Sequence, residues 1–382
     1  MKILLIGNYS YDVQESMQLF ASSLEAGLKK SGCEVLLIRP EPFFGKLKPS
    51  YRGIGKWLGY LDKFIIFPLR LHKVIKTVDM AHICDHSNAF YTGYLNDIPH
   101  LVTCHDLFAI HSARGEVKEN PTKWTGRRLQ EIILNGINRS MHVACASEAT
   151  RSDLLQMTSL RPENVSVVYY GFNYPYSPME TTEAKGRLKS LGITSEDPFI
   201  LHVGKNFWYK NRLGLLEIFR YMIQSDRSLH LNLVLVGSLI TEEARRFVKS
   251  HNLEKRIFEI GLVKSEQLRV LYSTAGALLY PSLKEGFGWP IIEAQACGCP
   301  VFTTKRPPMT EIGGDAAVYV DPAKPEAAAR TIMEYISDSE KIAKMRESGF
   351  LNVKRFSIDK MIRQYIDLYE RLAVRRKSYA ET

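Results

Sequence analysis

The feature of this chain that most constrains its fold is a series of short, continuously apolar runs separated by segments long enough to form helices. Runs that are apolar at every position, instead of every second position, are typical of parallel strands with helices covering both faces. Six runs lie in the first half of the chain, at 2–7, 34–40, 80–85, 100–106, 142–147 and 165–171. Six more lie in the second half, at 198–204, 231–237, 256–262, 276–282, 300–305 and 316–321.

Two successive sets of such runs predict an α/β protein made of two doubly wound, Rossmann-like domains. We expect a first domain at 1–174, a hinge at 175–197, where Pro, Thr, Ser and charged residues concentrate, and a second domain at 198–356. Doubly wound sheets bind ligands at the carboxyl ends of their strands, so two facing sheets predict an interdomain cleft. Residues 357–374 have helical spacing and are expected to pack on a domain face, with the first domain as a candidate.

The net charge of the chain, +10, favours anionic partners. Nucleic acid is excluded as a hypothesis, because the sequence has neither zinc-finger spacing nor an aromatic pattern of the kind that stacks bases. An anionic membrane surface and phosphorylated small molecules both remain open.

Three features favour a cytoplasmic protein. No apolar run approaches the roughly 20 residues of a membrane-spanning helix. The apolar start at 2–7 is too short for a signal peptide and no cleavage site follows it, so we expect a first strand there. The six cysteines lie mostly in apolar runs, where a reduced thiol acts as a small hydrophobic group.

The segment 280–298 carries the clearest chemical pattern. A predicted strand ends near Ser282, Gly286 and Gly288 make a tight loop, and Pro290 suits the first position of a helix that ends near Gly298. A loop that leads into a helix start presents backbone N–H groups and the positive end of the helix dipole to an anion. The segment therefore predicts a phosphate site.

Two glutamates flank this predicted phosphate site. A carboxylate accepts hydrogen bonds from two neighbouring hydroxyls at once, which suits Glu285 to a sugar and Glu293, expected in the first helical turn, to a ribose. A phosphate between two hydroxyl-bearing rings describes a nucleotide sugar. Glutamates that are merely solvated or that cap the helix are the alternative, and the segment alone leaves both open.

The spacing of Glu285 and Glu293, followed by Ala-Gln-Ala-Cys-Gly-Cys-Pro-Val, resembles that of the family 4 glycosyltransferases, which are retaining enzymes with the GT-B fold. Further segments resemble the family in the same order, at 203–211, 233–237, 261–263 and 311–317. The chain departs from the family at Lys205, where Arg or Asn is common, and at 7–12, which lacks the usual pair of glycines.

The resemblance implies that the second domain binds the donor, a GDP- or UDP-sugar, and that no further cofactor is required. The implied donor-binding residues are Gly204, Lys205, Lys210, Leu262, Val263, Glu285, Gly286, Phe287, Gly288, Trp289 and Glu293. Lys205 and Lys210 are expected to neutralise the leaving diphosphate, the alternative being two solvated loop lysines. The sequence has no Asp-x-Asp pair, so we predict no metal site.

Catalytic roles are implied for His105, Glu285 and Lys210. His105 follows the fourth strand, and the resemblance implies that it contacts the donor sugar or the reacting centre by a hydrogen bond or a positive charge. Asp106 is expected to orient His105 or to contact the acceptor. The remaining acceptor candidates are Asn8, Gln14 and Ser16, with helix capping as the alternative for the last two. His82 and His86 flank Cys84 and Asp85, but on a strand they favour packing over metal binding.

The stretch 46–76 mixes basic and aromatic residues. Its members are Lys46, Lys48, Tyr51, Arg52, Lys56, Trp57, Tyr60, Lys63, Phe64, Phe67, Arg70, Lys73 and Lys76. A basic amphipathic helix can lie on an anionic membrane, and it can equally bury its apolar face in the domain core. Both interpretations stay open.

These patterns together predict a retaining, metal-independent glycosyltransferase that moves a hexose-type sugar, such as mannose or glucose, from a nucleoside-diphosphate sugar to a glycan or lipid-linked acceptor. Cell-envelope or exopolysaccharide biosynthesis is the expected setting. The expected location is the cytoplasm, with a peripheral position on the inner face of the cytoplasmic membrane left open. The alternatives are an enzyme like the nucleotide-sugar 2-epimerases, a noncatalytic binding subunit and a peripheral membrane-binding protein. The sequence makes no prediction of oligomeric state.

Overall fold

A computed structural model of the protein describes residues 1–12, 14–50, 53–225 and 230–380, with only the backbone for residue 181 and for 375–380. All twelve predicted strands are present, and most are a few residues shorter than the apolar runs that predicted them. They are β1 (Lys2–Ile6), β2 (Glu34–Ile38), β3 (Met80–Ile83), β4 (His100–Cys104), β5 (His142–Cys145), β6 (Val165–Val167), β7 (Phe199–Gly204), β8 (Asn232–Gly237), β9 (Ile257–Ile260), β10 (Ala277–Tyr280), β11 (Val301–Thr304) and β12 (Ala317–Val320).

Helices connect the strands in both halves of the chain. They are α1 (Glu15–Lys30), α2 (Gly53–Leu61), α3 (Phe67–Val74), α4 (Phe108–Ala113), α5 (Trp124–Asn138), α6 (Glu148–Met157), α7 (Thr181–Leu188), α8 (Arg212–Ser225), α9 (Glu242–Ser250), α10 (Ser265–Thr274), α11 (Trp289–Ala296), α12 (Met309–Gly313), α13 (Pro325–Ile336), α14 (Ser339–Asn352) and α15 (Ile358–Ala380). A π-helical turn, Asp62–Ile66, joins α2 to α3, and a 3-10 segment, His86–Tyr94, follows β3.

Each half of the chain forms one parallel six-stranded sheet. The strand order is β2-β1-β3-β4-β5-β6 in the first sheet and β12-β11-β10-β7-β8-β9 in the second. The order reverses between β1 and β3 in the first sheet and between β7 and β10 in the second. Ligands of doubly wound sheets bind beyond the carboxyl ends of the strands at such a reversal. The topology therefore points to the residues after β1 and β3, and to those after β7 and β10.

The chain divides into two compact units, each with its own apolar core. The first unit holds residues up to Asn173 together with the C-terminal segment that starts at Ser357, and the second unit is Tyr174–Phe356. Residues 175–197, expected as a hinge, lie within the second unit and include α7. All six cysteines are unpaired thiols, and five of them are buried. Among the described residues, no helix has both the length and the apolar character needed to cross a bilayer.

The C-terminal helix α15 packs on the first unit through buried aromatic and polar groups. His82 on β3 contacts the Tyr369 hydroxyl through Nδ1 and the Thr103 hydroxyl through Nε2, both at 2.7 Å. Gly27 on α1 allows the close approach of α15, because a Cβ there would lie 2.4 Å from Ile362. His82 is therefore a packing residue, as the strand position predicts.

Candidate functional site

The reversal point of the second sheet brings two loops together. The loop 205–211 follows β7 and the loop 281–288 follows β10. Leu283 donates its backbone N–H to the Tyr209 carbonyl at 2.7 Å, and the Asn211 side-chain amide donates to the Pro281 carbonyl at 3.2 Å. Asn211 has a φ of 52°, a left-handed conformation that asparagine tolerates better than most residues. The loops that contain Lys205, Lys210, Glu285, Gly286 and Gly288 are thus joined directly.

Two side chains of strand β11 hydrogen-bond to the end of β10 and to the loop 281–288, which leads into α11. The Thr303 and Thr304 hydroxyls donate to the carbonyls of Tyr280 and Ser282, at 2.8 and 2.7 Å. Gly288 turns the chain with a φ of 105°, a conformation that favours glycine, and α11 begins at the next residue. The predicted passage from a glycine loop to a helix start is therefore present in the structure.

Lys210, Glu285 and Tyr280 form a closed triad at the reversal point. The Lys210 ammonium donates to Glu285 Oε1 at 2.7 Å and to the Tyr280 hydroxyl at 2.5 Å. The Tyr280 hydroxyl donates to the same carboxylate oxygen at 2.7 Å. The lysine and glutamate side chains are only 12% and 9% exposed. Burial and the Glu285 charge keep the pKa of Tyr280 well above its ordinary value, so its hydroxyl stays neutral.

Glu293 lies in a buried pocket of hydroxyl groups. Its Oε2 accepts a hydrogen bond from the Tyr272 hydroxyl at 2.9 Å. Burial raises the pKa of Glu293 to about 7, against the opposing effects of the Tyr272 and Tyr176 hydroxyls and the Lys210 charge. The expectation that Glu293 lies in the first turn of the helix is wrong, because it is the fifth residue of α11. The helix dipole acts mainly within the first turn, so it offsets little of the burial cost.

Arg212, which the sequence analysis missed, supports the loop 205–211 from inside. Its guanidinium is buried and donates to the carbonyls of Gly204 at 2.6 Å, Ser238 at 2.5 Å and Val236 at 3.3 Å. These contacts tie the carboxyl ends of β7 and β8, where the chains approach so closely that a Cβ at Gly237 would lie 2.3 Å from the Gly204 carbonyl oxygen. The sequence signal that could have identified Arg212 is its position directly after Lys210 and Asn211.

The other predicted donor-binding residues fall into three groups. Gly204 ends β7, where a Cβ would lie 3.3 Å from the Lys210 side chain. Leu262 and Val263 follow β9, the first exposed and the second half-buried. The Phe287 ring is buried and meets Trp289 edge-on at 5.8 Å between ring centres. Phe287 thus contributes its side chain to packing.

The reversal point of the first sheet holds a second polar cluster. Asn8, directly after β1 and its following glycine, donates its side-chain amide to Asp85, which follows β3, and to Gln14 at the start of α1. Asp85 also accepts the Ser87 N–H at 2.9 Å. Burial by itself would raise the pKa of Asp85, but the pKa is lowered because His86, His105 and these donors favour the carboxylate. In the sequence, Asp85 stands out only as part of a disfavoured metal cluster, and nothing there predicts its contact with Asn8.

His105 is buried and both of its ring nitrogens have partners. Nε2 lies 2.8 Å from the Cys84 carbonyl oxygen, and Nδ1 contacts the Tyr170 hydroxyl. A carbonyl can only accept, so Nε2 carries the proton and Nδ1 accepts from Tyr170. Burial, reinforced by His86, lowers the pKa of His105 despite the attraction of Asp85. The structure therefore favours a neutral imidazole and not the positive charge that was one expectation.

The remaining acceptor candidates differ in their placement. Asp106 accepts the Phe108 N–H at 3.0 Å just before α4, and it does not orient His105 through either ring nitrogen. Gln14 makes no side-chain cap for α1 and instead accepts from Asn8. Ser16 is exposed in the first turn of α1. Within the described parts of the chain, no group of three or more His, Cys, Asp or Glu side chains is placed to hold a metal ion.

Comparisons with known families match both units. Residues 187–352 match the family model described as Glycosyl transferases group 1, and residues 18–174 match the model described as Glycosyltransferase Family 4. The two matches together cover most of the chain and include Lys210, Glu285 and Glu293 of the second unit and Asp85 and His105 of the first, whereas Asn8 and Gln14 precede the first match.

Individual relatives agree with these matches. The O-antigen chain mannosyltransferase B of Escherichia coli is 25% identical over 297 residues, which are 75% of this chain and 76% of that protein. The D-inositol 3-phosphate glycosyltransferase of Corynebacterium glutamicum (strain R) is 24% identical over 280 residues, 71% of this chain and 66% of that protein.

A solved structure shares the fold. Anabaena HepE in complex with UDP and glucose aligns with a TM-score of 0.76 at 18% identity, over 97% of this chain and 99% of that one. At this identity the likeness shows the fold, which is the two-domain GT-B architecture. The chain belongs to the family 4 glycosyltransferases of the group 1 type, and it is a sugar-transferring enzyme.

Proposed function

We propose that the protein is a retaining, metal-independent glycosyltransferase that moves a hexose-type sugar, such as mannose or glucose, from a UDP- or GDP-sugar to a glycan or lipid-linked acceptor. The proposed setting is cell-envelope or exopolysaccharide biosynthesis, in the cytoplasm and at the inner face of its membrane. The relatives named above, an O-antigen chain mannosyltransferase and a D-inositol 3-phosphate glycosyltransferase, support this class of reaction.

The observation that carries the proposal is the largely buried Lys210–Glu285 ion pair at the reversal point of the second sheet, where the loop 281–288 leads into α11 and the buried Glu293. Lys210 contacts Glu285 directly, and its charge also acts on Glu293. A lysine paired with the loop before α11 suits a diphosphate, and the two nearby carboxylates suit hydroxyl-bearing rings. In the proposed complex Lys210 binds the diphosphate, Glu285 the transferred sugar and Glu293 the ribose.

The proposed transfer needs no enzymatic nucleophile. The acceptor hydroxyl oxygen forms a bond to the anomeric carbon on the face from which the diphosphate oxygen departs. The acceptor proton passes to that departing phosphate oxygen, so one C–O bond forms as another breaks and the configuration is retained. Lys210, Lys205 and the start of α11 stabilise the negative charge that grows on the diphosphate.

A donor panel tests this proposal. Thermal unfolding of the full chain is measured with UDP- and GDP-linked glucose, mannose and N-acetylhexosamines, because a bound ligand raises the unfolding temperature by mass action. One donor is expected to raise the unfolding temperature by several degrees and to be consumed when acceptor lipids or glycans are added, with EDTA leaving turnover unchanged. Conversion of the donor alone into an epimeric nucleotide sugar would instead favour an epimerase, and binding without turnover a noncatalytic subunit.

The membrane part of the proposal rests on helices α2 and α3 and the π-helical turn between them. One face of this segment is buried and is anchored by Asp62, whose carboxylate accepts the N–H groups of Phe43, Phe44 and Gly45 at 2.8–3.1 Å. Another face is apolar and exposed, and its members are Ile54, Trp57, Leu61, Phe64, Ile65 and Leu69. Exposed basic side chains accompany it at Lys56, Arg70, Lys73 and Lys76. Tyr51 and Arg52 lie outside the described residues.

An exposed apolar face accompanied by basic side chains is complementary to an anionic bilayer. One face of the stretch 46–76, which contains Gly55, Gly59 and Phe67, is buried and packs in the domain core. The membrane interpretation is proposed for the opposite face. A lipid-linked acceptor would then be met at the surface where it resides.

Vesicle binding provides the measurement for this surface. Replacing Trp57, which is 58% exposed, with Ser is expected to weaken cosedimentation with phosphatidylglycerol vesicles about tenfold, because the variant buries less apolar area in the lipid. Trp124 on α5 is 69% exposed in the same unit, and Trp124→Ser serves as the matched control with unchanged binding expected. Equal losses in both variants, or equal binding to neutral vesicles, would contradict the proposal.

A further inference from the structure

The three members of the triad, Lys210, Glu285 and Tyr280, satisfy one another by hydrogen bonds. The ammonium has two acceptors within 2.7 Å, and one carboxylate oxygen of Glu285 receives both of the other members. Yet the proposed function assigns Lys210 to a diphosphate and Glu285 to sugar hydroxyls. A ligand that uses Lys210 must therefore compete with Glu285 for it.

The competition depends on which ligand enters. An intact sugar nucleotide supplies a diphosphate for Lys210 and hydroxyl donors for Glu285, so both charges regain partners. A nucleoside diphosphate supplies the diphosphate for Lys210 but no sugar hydroxyls for Glu285. The Glu285 carboxylate, whose side chain is 9% exposed, then lies near an anion and has lost its contact with Lys210. Leaving a largely buried charge without its partner is unfavourable.

We propose that Glu285 discriminates against the nucleoside diphosphate product, by reclaiming Lys210 once the sugar has left. This inference rests on the proposed function and extends it from donor binding to product release. After transfer, the hydroxyl groups that held Glu285 depart with the acceptor. The carboxylate then re-forms its contact with Lys210 and weakens the hold on the diphosphate.

Tyr280 has a separate role in the same exchange. Its hydroxyl donates to Glu285 in the closed triad, and its ring lies 4.8 Å from the Lys210 ammonium. When Lys210 turns to a phosphate, the Tyr280 hydroxyl is the donor that stays with Glu285, because the tyrosine is fully buried at the end of β10. Tyr280 is thus a positioning residue that limits the cost of opening the triad.

Titration calorimetry of the full chain with UDP and with GDP tests this inference. For whichever nucleotide the wild type binds, Glu285→Gln is expected to bind it roughly tenfold more tightly, because the neutral amide competes less for Lys210. Tyr280→Phe is expected to bind it several-fold more weakly, because Glu285 loses its remaining donor. The matched control is Glu334→Gln, which changes an exposed Lys341–Glu334 pair in the same unit and should leave affinity unchanged.

Glu285→Gln separates the inference from a folding defect, since a general loss of structure cannot tighten binding. Glu285→Gln should also relieve discrimination, so the ratio of nucleotide affinity to sugar-nucleotide affinity rises more than tenfold, because the sugar contact is lost at the same time. Unchanged or weaker nucleotide binding by Glu285→Gln, with normal binding by the wild type, overturns this inference alone. Failure of the wild type to bind UDP, GDP or their sugars overturns the proposed function and this inference with it.

Discussion

Replacing Glu293 with Gln is expected to raise the KM for the sugar-nucleotide donor roughly 100-fold, because the variant loses the charge and one acceptor oxygen of a buried carboxylate. The carboxylate accepts from Tyr272 in the free protein and is proposed to accept from both ribose hydroxyls in the complex. A glutamine offers one acceptor oxygen, and its amide group can only donate. Steady-state kinetics at saturating acceptor measure the change, and kcat should fall much less than kcat/KM.

The same residue should give donor binding a pH dependence. Burial raises the pKa of Glu293 to about 7, so the carboxylate form is depleted as pH falls below that value. Donor affinity is expected to be constant above pH 8 and to fall up to tenfold for each pH unit below about 6, since one proton must be released for each donor bound. Sugar nucleotides suit this measurement because their phosphodiesters do not titrate in this range.

Unfolding experiments supply the control for Glu293→Gln. A carboxyl whose pKa is higher in the folded than in the unfolded protein binds its proton more tightly when folded, so it lowers stability as pH rises from about 4.5 to 7. The glutamine variant should therefore match the wild type near pH 4.5 and be more stable by about 3 kcal/mol at pH 8. A variant that is stable at pH 8 and still binds donor normally would show that Glu293 has no part in the donor site.

The strands of this fold could be predicted because their chemistry is local. A run such as 233–236 is apolar at every position, and that pattern has few explanations other than a strand buried on both faces. The loop before α11 was also predictable, since glycines and a proline mark it. Its last glycine, Gly288, has the positive φ that such a turn requires.

The residues that were missed depend on contacts between distant parts of the chain. Tyr280 looks like another apolar residue of β10, and its hydroxyl acquires meaning only when Lys210 is placed beside it. In the sequence, Asp85 is simply a carboxylate that follows a strand. Its role becomes visible only in the fold, where Asn8, after β1, donates a hydrogen bond to it. The burial of Glu293 likewise follows from packing against α10, which carries Tyr272. Sequence patterns identified the elements, and strand order decided which side chains meet.

Replacing Lys210 with Met is expected to lower kcat by about 100- to 1,000-fold, because the ammonium is proposed to stabilise charge that develops on the leaving diphosphate. Charge at that oxygen is greater in the transition state than in the bound donor, so kcat should fall more than donor affinity. Methionine keeps much of the length and apolar surface of the lysine stem, which packs beside Gly204. Single-turnover measurements with saturating donor isolate the chemical step.

Two further variants show whether this loss belongs to the charge. Lys255→Met removes an exposed lysine just before β9, at the amino end of that strand, whereas the site lies at the carboxyl ends of β7 and β10. This variant should leave kcat unchanged. Lys210→Met also deprives Glu285 of its cation, so part of the loss reflects an unpaired carboxylate. Adding Glu285→Gln removes that part, and because the two groups act as one contact, the double variant should lose less than the product of the single losses. If the double variant instead loses the full product of the two single losses, Lys210 and Glu285 act independently. If the kcat of Lys210→Met stays within a few-fold of the wild type, Lys210 does not stabilise the transition state.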